Sequence, residues 1–530
     1  MQKRKHKRNQ KKNNFNSKFQ YDLDTIIESE IKKNLLRTDF PKNITTKDQL
    51  SKISKSSDHH DYTHIPFITI DGEDSKDFDD AVYAIKKKGC IEIMVAIADV
   101  SFFVKQNDPI DIEAKKRGNS YYFPNKVIPM LPESLSNDAC SLVPNKERLC
   151  IIVSAKIDIL GKIISSKIIR GIIRSRARLT YKEVESYITK KCTKKEDYHE
   201  TLKNLELAYL VLSKKSKNRG KIDFDLEDYK IVKSKDSSSF NFLKNKSYTS
   251  EKIIEELMVF ANNIVASYFA KKKKKSLYRN HEKPSEEKLV KLKNFLRLIG
   301  INFNFNGIIN QDDFLNILKE SEHKQFKTIK EMILRAQSKA YYHYKNVGHF
   351  GLALDDYTHF TSPIRRYSDL IIHRNISNHF LNNSSDKENN SDLNITDSLC
   401  SHLLEQEKTK ELNAIQSDVE KLLTQLKTDF PKETELKFEM ESLIEKLSQE
   451  TITVLEAKEL YQKAADAFAI VKGVQDGLYK TFRVASRLDE TSYKNNDFIL
   501  HFISNPLLHG IGRARPEFAK LSQLWKHTAV

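Results

Sequence analysis

The chain is poor in the residues that mark several protein classes. Its 530 residues include 14 glycines, 12 prolines and 1 tryptophan, a composition that excludes collagen-like and low-complexity Pro/Gly-rich architectures. No apolar run approaches the roughly 18 residues of a spanning helix, so we expect no membrane segment. The N-terminus also lacks the apolar stretch of a secretory signal.

Cysteine is scarce and unpaired in its spacing. The cysteines are Cys90, Cys140, Cys150, Cys192 and Cys400. Without a CxxC pair they match no zinc-ligand pattern, and they predict free thiols in a reducing, cytoplasmic location. The HExxH and Walker A patterns are absent too, which counts against zinc hydrolases and P-loop nucleotide hydrolases.

Positive charge is in surplus. The chain carries 90 Lys and Arg against 72 Asp and Glu, a net charge of +18, with 39% hydrophobic and 31% charged residues. This balance is typical of a soluble globular protein that attracts a polyanion such as nucleic acid. A basic protein with no nucleic-acid role has the same composition, so charge alone leaves both possibilities open.

Against this basic background, residues 71–80 form an acidic segment. Four of its carboxylates, Asp71, Asp77, Asp79 and Asp80, have a spacing that local geometry can bring together. Crowded carboxylates raise one another's pKa unless a cation neutralises them, and oxygen ligands of this kind suit Mg²⁺. If the segment is extended from Asp77, Asp80 points away from Asp77 and Asp79. An EF-hand loop is excluded by its ligand positions, and a solvated acidic loop is the alternative.

A second polar segment begins at Ser362. Ser362 can cap a helix whose first turn contains Pro363, and the free N–H groups of that turn form a phosphate site next to Arg365 and Arg366. Helical spacing pairs Arg365 with Asp369. An ordinary surface helix with one ion pair fits the same residues.

Three further residues are weaker candidates when taken alone. Tyr122 follows a basic stretch and offers a ring on which a base can stack, although strand aromatics usually belong to the core. Phe224 offers a weaker signal of the same kind. Glu256 lies on a predicted helix, where a solvated face is the ordinary interpretation.

The order of elements predicts an α+β fold, with a β-rich first half and a helical second half. We expect a strand over Ile91–Val100 and a hairpin around Gly161. Six predicted helices follow, over Ile253–Ala270, Ser285–Ile299, Phe326–Tyr342, Glu405–Leu426, Glu433–Ser448 and Ala457–Ala469. We expect a basic disordered tail at 1–22, an N-terminal linker region at 23–64, a catalytic domain at 65–420, and a mostly helical, unassigned region at 421–530.

Several motifs together resemble the catalytic RNB domain of the ribonuclease II/ribonuclease R exoribonucleases. The resemblance covers roughly residues 65 to 380. Besides the acidic segment, it is carried by Val95–Ser101, Tyr122–Pro124, Val127–Pro132, Arg176–Tyr181, Leu277–Arg279, His349–Leu354 and Phe360–Arg366.

The resemblance implies a role for each candidate residue. Asp71, Asp77, Asp79 and Asp80 would share Mg²⁺, as two ions that Mn²⁺ can replace, with Asp79 the least dispensable. Arg365 would stabilise charge on the scissile phosphate. The RNA-binding set would comprise Tyr122 and Phe224 on either side of the base stack, Glu256 near the 3′ end, Tyr181 at the ribose, and Arg366.

The implied activity is that of an exoribonuclease of the ribonuclease II type. It would degrade single-stranded RNA processively from the 3′ end to nucleoside 5′-monophosphates, as a cytoplasmic monomer without membrane contact. The usual flanking OB-fold domains have no counterpart in the sequence. A catalytically impaired RNA-binding protein that keeps the RNB fold, or a two-metal phosphoesterase acting on DNA or nucleotides, therefore remains an alternative.

Overall fold

The structure is a computed structural model. It describes residues 58–448 except 124–125, 191–197, 222–227, 234–239, 246–247, 300, 302–309, 321–325, 382–397, 408–418, 420–422 and 424–433, together with 27–28, 31–32, 36–42, 44 and 460. The predicted tail at 1–22, Cys192, Phe224 and most of 421–530 lie outside these residues. The larger of two compact units comprises 31–229 and 244–411; the smaller comprises 1–30, 230–243 and 412–530.

The strands, numbered in chain order, fall into one large sheet and three small pairs. They are β1 His60–Asp61, β2 Ile68–Asp71, β3 Asp80–Lys87, β4 Cys90–Ala98, β5 Tyr121–Tyr122, β6 Val127–Ile128, β7 Glu147–Ile157, β8 Ile163–Arg174, β9 Ala177–Thr180, β10 Asp228–Lys233, β11 Phe240–Asn245, β12 Tyr278–Asn280 and β13 Tyr341–His343. The seven-stranded sheet has the order β1-β8-β7-β4-β3-β2-β9.

The helices are α1 Val100–Phe103, α2 Pro109–Arg117, α3 Tyr181–Lys190, α4 His199–Arg219, α5 Thr249–Lys271, α6 Glu286–Leu298, α7 Gln311–Glu320, α8 Phe326–Ala336, α9 Tyr367–Leu381 and α10 Thr434–Ser448. A π-helix spans Ser134–Ala139 and a 3₁₀ turn spans Phe350–Leu352. Residues 398–407 are also helical. The α+β class, with a β-rich first half and a helical second half, is confirmed.

The sheet centre follows from an almost continuous apolar run. β4 is buried over most of its length, as expected of a strand covered on both faces. It pairs antiparallel with β3 and β7, while β2 pairs parallel with β9. The predicted hairpin between β7 and β8 is confirmed, and Gly161 supplies its left-handed residue at φ 79°.

Helices α4 and α5 pack on this sheet and complete its core. Helix α5 has the length and apolar content of a membrane span, and 67% of its most apolar window is buried within the protein. A second core joins α6, α7 and α8 around Leu292, Phe314 and Ile333. Cys90, Cys140, Cys150 and Cys400 are free thiols, as predicted.

Two predicted boundaries are wrong. The helix expected over Phe326–Tyr342 ends at Ala336, and Tyr341 and Tyr342 belong to β13, paired with β12. The helix expected to start at Ser362 begins at Tyr367, after a hydrogen-bonded turn. In both places tertiary hydrogen bonds overrule the local signal for a helix.

Candidate active site

The carboxylates lie where four strand ends meet at one edge of the sheet. Asp71 ends β2, opposite Thr180 at the end of the parallel strand β9. Asp80 begins β3, opposite Ile97 near the end of the antiparallel strand β4. This strand arrangement brings residues from both ends of the acidic segment to the same edge.

Residues 72–79 connect β2 to β3 as a loop, and Asp80 is the first residue of β3. Arg178 on β9 donates through Nη2 to the carbonyl oxygens of Gly72 at 2.6 Å and Glu73 at 2.7 Å. At the other end of the loop, the Ser141 hydroxyl accepts from the Phe78 N–H at 2.9 Å and donates to the Lys76 carbonyl at 2.9 Å. The loop is therefore held at both ends by buried or half-buried side chains.

Asp79 joins the acidic segment to the turn before α9. Its Oδ1 accepts from the Ile364 N–H at 2.9 Å, and its Oδ2 lies 3.5 Å from Arg365 Nε. The Asp79 side chain is 6% exposed, whereas the Arg365 side chain is 42% exposed. Arg365 thus pairs with Asp79 on one side and presents its guanidinium to solvent on the other.

Burial shifts the titration of three of these carboxylates upward. It raises the pKa of Asp79 to about 8, although Arg365 and the Ile364 N–H oppose the shift. Burial, followed by the charge of Asp77, raises the pKa of Asp71 to about 6. Burial and the neighbouring Asp71 and Asp79 raise the pKa of Asp80 well above its usual range. In all three carboxyls the largest cause is burial, which disfavours the charged form.

The donor chemistry of this cluster fits a hard divalent cation. Asp71 Oδ2 and Asp80 Oδ2 are buried oxygens without a hydrogen-bond partner, which is costly unless a cation contacts them. In the described part of the chain, no three His, Cys, Asp or Glu side chains converge in a metal-binding group. The charge and the orphaned oxygens therefore support a cation at this edge, without defining how many carboxylates bind it.

Arg366 has a different environment from Arg365. The sequence paired Arg365 with Asp369, but Arg366 Nη2 makes that ion pair, at 2.8 Å. The same Asp369 oxygen also accepts from the Ser362 N–H at 2.8 Å, which fixes the turn that precedes α9. Because the turn delays the start of the helix, the spacing expected for a regular helix does not apply.

The turn also places the strand that carries Tyr122. Tyr367 N–H donates to the Gly118 carbonyl at 2.9 Å, and Ser120 N–H donates to the Arg365 carbonyl at 3.1 Å. Two residues further on, the Tyr122 hydroxyl donates to Asp77 Oδ2 at 2.6 Å. Tyr122 remains 43% exposed, so its ring can also contact a ligand.

Tyr181 borders the same cluster from α3. Burial, then Asp80 and Asp71, raises the pKa of its hydroxyl, so the phenol stays neutral beside the carboxylates. Its carbonyl accepts from the Ser250 hydroxyl at 2.7 Å, which joins α3 to the start of α5.

Glu256 on α5 is held by Ser216 on α4 and by Lys221, which follows the end of α4. It accepts hydrogen bonds from the Ser216 hydroxyl and, at 3.0 Å, from Lys221 Nζ. At 6% exposed it is buried, so the solvated face expected of it is wrong. Phe224 lies outside the described residues.

A model of the RNB domain matches residues 59–383. The chain belongs to the RNB-domain family. Over 321 residues it is 39% identical to ribonuclease R of Escherichia coli (strain K12), covering 60% of this chain and 40% of that protein. Ribonuclease R of Mycoplasmopsis pulmonis (strain UAB CTIP) is 39% identical over 377 residues, which are 69% of this chain and 51% of that protein.

The fold agrees with a solved RNB-family structure. Mycoplasma genitalium RNase R in complex with ribose-methylated single-stranded RNA matches with a TM-score of 0.71 and 28% identity, over 77% of this chain and 65% of that one. The chain thus spans about half, or less, of the curated relatives described above.

Two arginines of the RNB domain make contacts that could not be predicted from the sequence. Arg178 binds backbone carbonyls more than 100 residues away in the chain, and a carbonyl acceptor is the same for every residue type. Glu407, which follows the matched residues 59–383, makes a bidentate pair with Arg279, at 2.7 and 3.0 Å. Both arginines lie in motifs that marked the family without indicating these partners.

Proposed function

We propose that the chain is a metal-dependent 3′→5′ exoribonuclease. The observation that carries the proposal is the position of Asp79, between the turn bearing Arg365 and the orphaned carboxylate oxygens of the strand edge. It is supported by the ribonuclease R relatives and by the similarity to an RNase R that was solved in complex with single-stranded RNA.

The reaction is hydrolysis of the last phosphodiester. Water attacks phosphorus, the bond to the 3′ oxygen of the preceding nucleotide breaks, and that oxygen takes a proton, leaving a shortened RNA and a nucleoside 5′-monophosphate. A divalent cation bound by the carboxylates would supply charge neutralisation and lower the pKa of the attacking water. Asp71, Asp77, Asp79 and Asp80 would hold it, with Mg²⁺ as two ions, replaceable by Mn²⁺, the occupant we expect.

The protein's own residues position the RNA end. Arg365, half exposed beside Asp79, stabilises the charge that develops on the scissile phosphate. Tyr122 stacks on the terminal base while its hydroxyl orients Asp77, and Tyr181 contacts the ribose as a neutral phenol. Phe224 would complete the base stack. Glu256 and Arg366 each form an ion pair within the protein, so they would act on the RNA by positioning the residues around it.

The proposal extends to the setting of the enzyme. We propose processive degradation of single-stranded RNA, of the ribonuclease II type, by a cytoplasmic monomer with no membrane partner. The domain limits of 65–420, preceded by 1–22 and 23–64 and followed by 421–530, remain predictions.

The test compares wild type with Asp79→Asn on matched single-stranded RNA and DNA oligomers, with and without Mg²⁺. We expect mononucleotide release from RNA only, reduced by roughly 10²- to 10³-fold in the variant, the usual effect of removing one electrostatic group from an active site. RNA binding without any turnover in wild type supports the alternative of an impaired RNA-binding protein. Equal cleavage of RNA and DNA supports a general phosphoesterase.

A further inference from the structure

Away from the carboxylates, α5 ends at the first of five consecutive exposed lysines, Lys271–Lys275. Among the residues that the structure describes, no carboxylate lies within ion-pair distance of these five. Lys273 has a left-handed backbone at φ 51°, in the position after a helix where glycine is favoured. The chain therefore keeps a charged side chain at a position where it costs backbone strain.

Aromatic rings adjoin the lysines. The rings of His343 and Tyr344 stack with centroids 4.3 Å apart at an interplanar angle of 25°. Lys275 Nζ lies 5.2 Å from the centre of the Tyr344 ring. With exposed Lys345, these residues form what we call the lysine–aromatic patch: Lys271–Lys275 and His343–Lys345.

Carboxylates in the neighbouring segments have other partners. Glu282 accepts from the Tyr341 hydroxyl at 2.5 Å. Asp356 accepts from the Ser267 hydroxyl at 2.8 Å and from Asn346 Nδ2 at 2.7 Å. Glu282 and Asp356 therefore accept hydrogen bonds from neutral groups and leave the positive charge of the patch unneutralised.

Helix α5 connects the patch to the candidate active site within the same compact unit. At its start, Ser250 contacts Tyr181 at 2.7 Å, and at its middle Asn262 Oδ1 accepts from the Phe360 N–H at 2.8 Å. At 1.5 Å per residue, the lysines lie roughly 30 Å along the helix from Ser250. An RNA chain whose 3′ end is at the carboxylates is long enough to reach them.

We propose that the lysine–aromatic patch binds the upstream part of the single-stranded RNA substrate. The lysines contact phosphates and the His343–Tyr344 pair contacts bases, the combination that binds single strands without sequence preference. This inference rests on the proposed function, which supplies the RNA. A purely structural role is the competing account, because lysines at a helix C-terminus also stabilise its negative end.

The test compares two variants with equal charge loss. One replaces Lys272, Lys273 and Lys274 with Gln; the control replaces the exposed lysines Lys86, Lys87 and Lys88 at the β3–β4 turn. Binding of fluorescent RNA of about 5 and about 25 nucleotides, lengths that bracket a typical site, is measured in EDTA over a salt series. Melting temperatures are recorded for all three proteins.

For the long RNA, we expect the slope of log affinity against log salt concentration to be smaller in magnitude by about 2 in the patch variant, since each lost phosphate contact removes about 0.7 from it. The slope for the short RNA should be unchanged. The control should keep the wild-type slope. Equal slopes for the two variants overturn the proposal, as does a lowered melting temperature without a slope change. So does loss of binding to phosphatidylglycerol vesicles alone, which assigns the patch to a membrane surface.

Failure of the proposed function is visible separately. Wild-type hydrolysis of the long RNA with Mg²⁺, measured as release of nucleoside 5′-monophosphates at saturating protein, tests the carboxylate site whatever the patch contributes to affinity. If hydrolysis occurs and the slopes are equal, only the patch proposal fails. If the slopes differ and wild type never hydrolyses RNA, the exoribonuclease proposal fails and the patch remains an RNA-binding surface.

Discussion

Tyr122 combines two properties that substitutions can separate. Its ring is exposed, and its hydroxyl donates to Asp77 Oδ2 at 2.6 Å. We expect Tyr122→Phe to bind RNA within about twofold of wild type in EDTA, and Tyr122→Ala to bind roughly 5- to 100-fold more weakly, as a lost base stack predicts. Tyr122→Phe should weaken Mn²⁺ binding by about tenfold, the usual effect of removing a ligand's hydrogen-bond partner.

Fluorescence anisotropy and a Mn²⁺ titration followed by electron paramagnetic resonance measure these two effects. If Tyr122→Phe loses RNA affinity as severely as Tyr122→Ala and binds Mn²⁺ normally, the division of roles between ring and hydroxyl is wrong.

Arg178 fixes the start of the acidic loop through two carbonyl groups. Because Lys can donate to one or both carbonyls without the rigid guanidinium, we expect Mn²⁺ affinity to fall in the order wild type, Arg178→Lys, Arg178→Ala, with about tenfold between the extremes. Arg176, which donates to the Thr63 carbonyl at 3.3 Å, provides the control. Arg176→Ala should bind Mn²⁺ as wild type does; an equal loss in both alanine variants would contradict a specific role for Arg178.

At the residue scale, the spacing and type of the carboxylates fit either a metal site or a solvated acidic loop, and the family motifs around them favour the metal site. The contact between Arg365 and Asp79 spans almost the whole RNB domain, and only a helical pairing with Asp369 could be expected from spacing. The hydrogen bond from Ile364 N–H to Asp79 involves a backbone group, which every sequence contains. The chemistry of the candidate side chains could therefore be predicted from the sequence, whereas their long-range contacts could be identified only from the fold.

At the scale of elements, the buried His281 and the half-buried His349 and His359 join β12 and β13 to the segment before the turn that bears Arg365. The rings of His281 and His349 lie 4.9 Å apart, and Tyr342 hydroxyl contacts His359 Nδ1 at 2.7 Å. Burial lowers the pKa of His349 to about 3, and burial followed by Arg366 and Arg279 lowers the pKa of His359 well below its usual range. These histidines are neutral in the folded protein.

The direction of the resulting pH dependence follows from linkage. Below about pH 6.5 an unfolded histidine binds a proton that folded His349 refuses until much lower pH, so acid favours the unfolded chain. Each such histidine lowers the free energy of unfolding by up to about 1.4 kcal/mol per pH unit below that point. We expect His349→Gln to lose less stability than wild type between about pH 7 and about pH 5.5.

Urea unfolding at the two pH values measures this difference, and comparison with wild type cancels the other titrating groups. His64→Gln, the same substitution at an exposed position, is measured alongside for comparison. An unchanged pH dependence in His349→Gln would show that His349 is not a source of acid sensitivity.

The elements themselves were predictable where hydrophobic period and end signals agree. The β7–β8 hairpin follows from its apolar strands and Gly161, and α6 begins after Ser285 as expected. The helix predicted over Phe326–Tyr342 was too long because Tyr341 and Tyr342 continue the apolar period. In the structure these two residues pair with Tyr278–Asn280 as a strand. Local period cannot show that a distant strand competes for the same residues.

At the scale of the whole molecule, the charge surplus and the acidic segment act together. The net charge of +18 would attract a polyanion such as RNA, and the four carboxylates at one sheet edge would hold the proposed cation close to a bound phosphate. The class of fold and the family were predictable, since dense motifs define both. The role of residues 421–530 was not, because their charged helical pattern carries no site chemistry.

The central claim is stepwise hydrolysis from the 3′ end at the Asp79 cluster. Incubation of 5′-end-labelled single-stranded RNA with the protein and Mg²⁺, with products separated on a denaturing gel and by chromatography, tests it most directly. We predict a 5′-labelled product that shortens from the 3′ end to a short oligomer, together with nucleoside 5′-monophosphates, and no reaction with Asp79→Asn. Internal cleavage, release of the labelled 5′ nucleotide first, or intact RNA in a stable complex would contradict the claim.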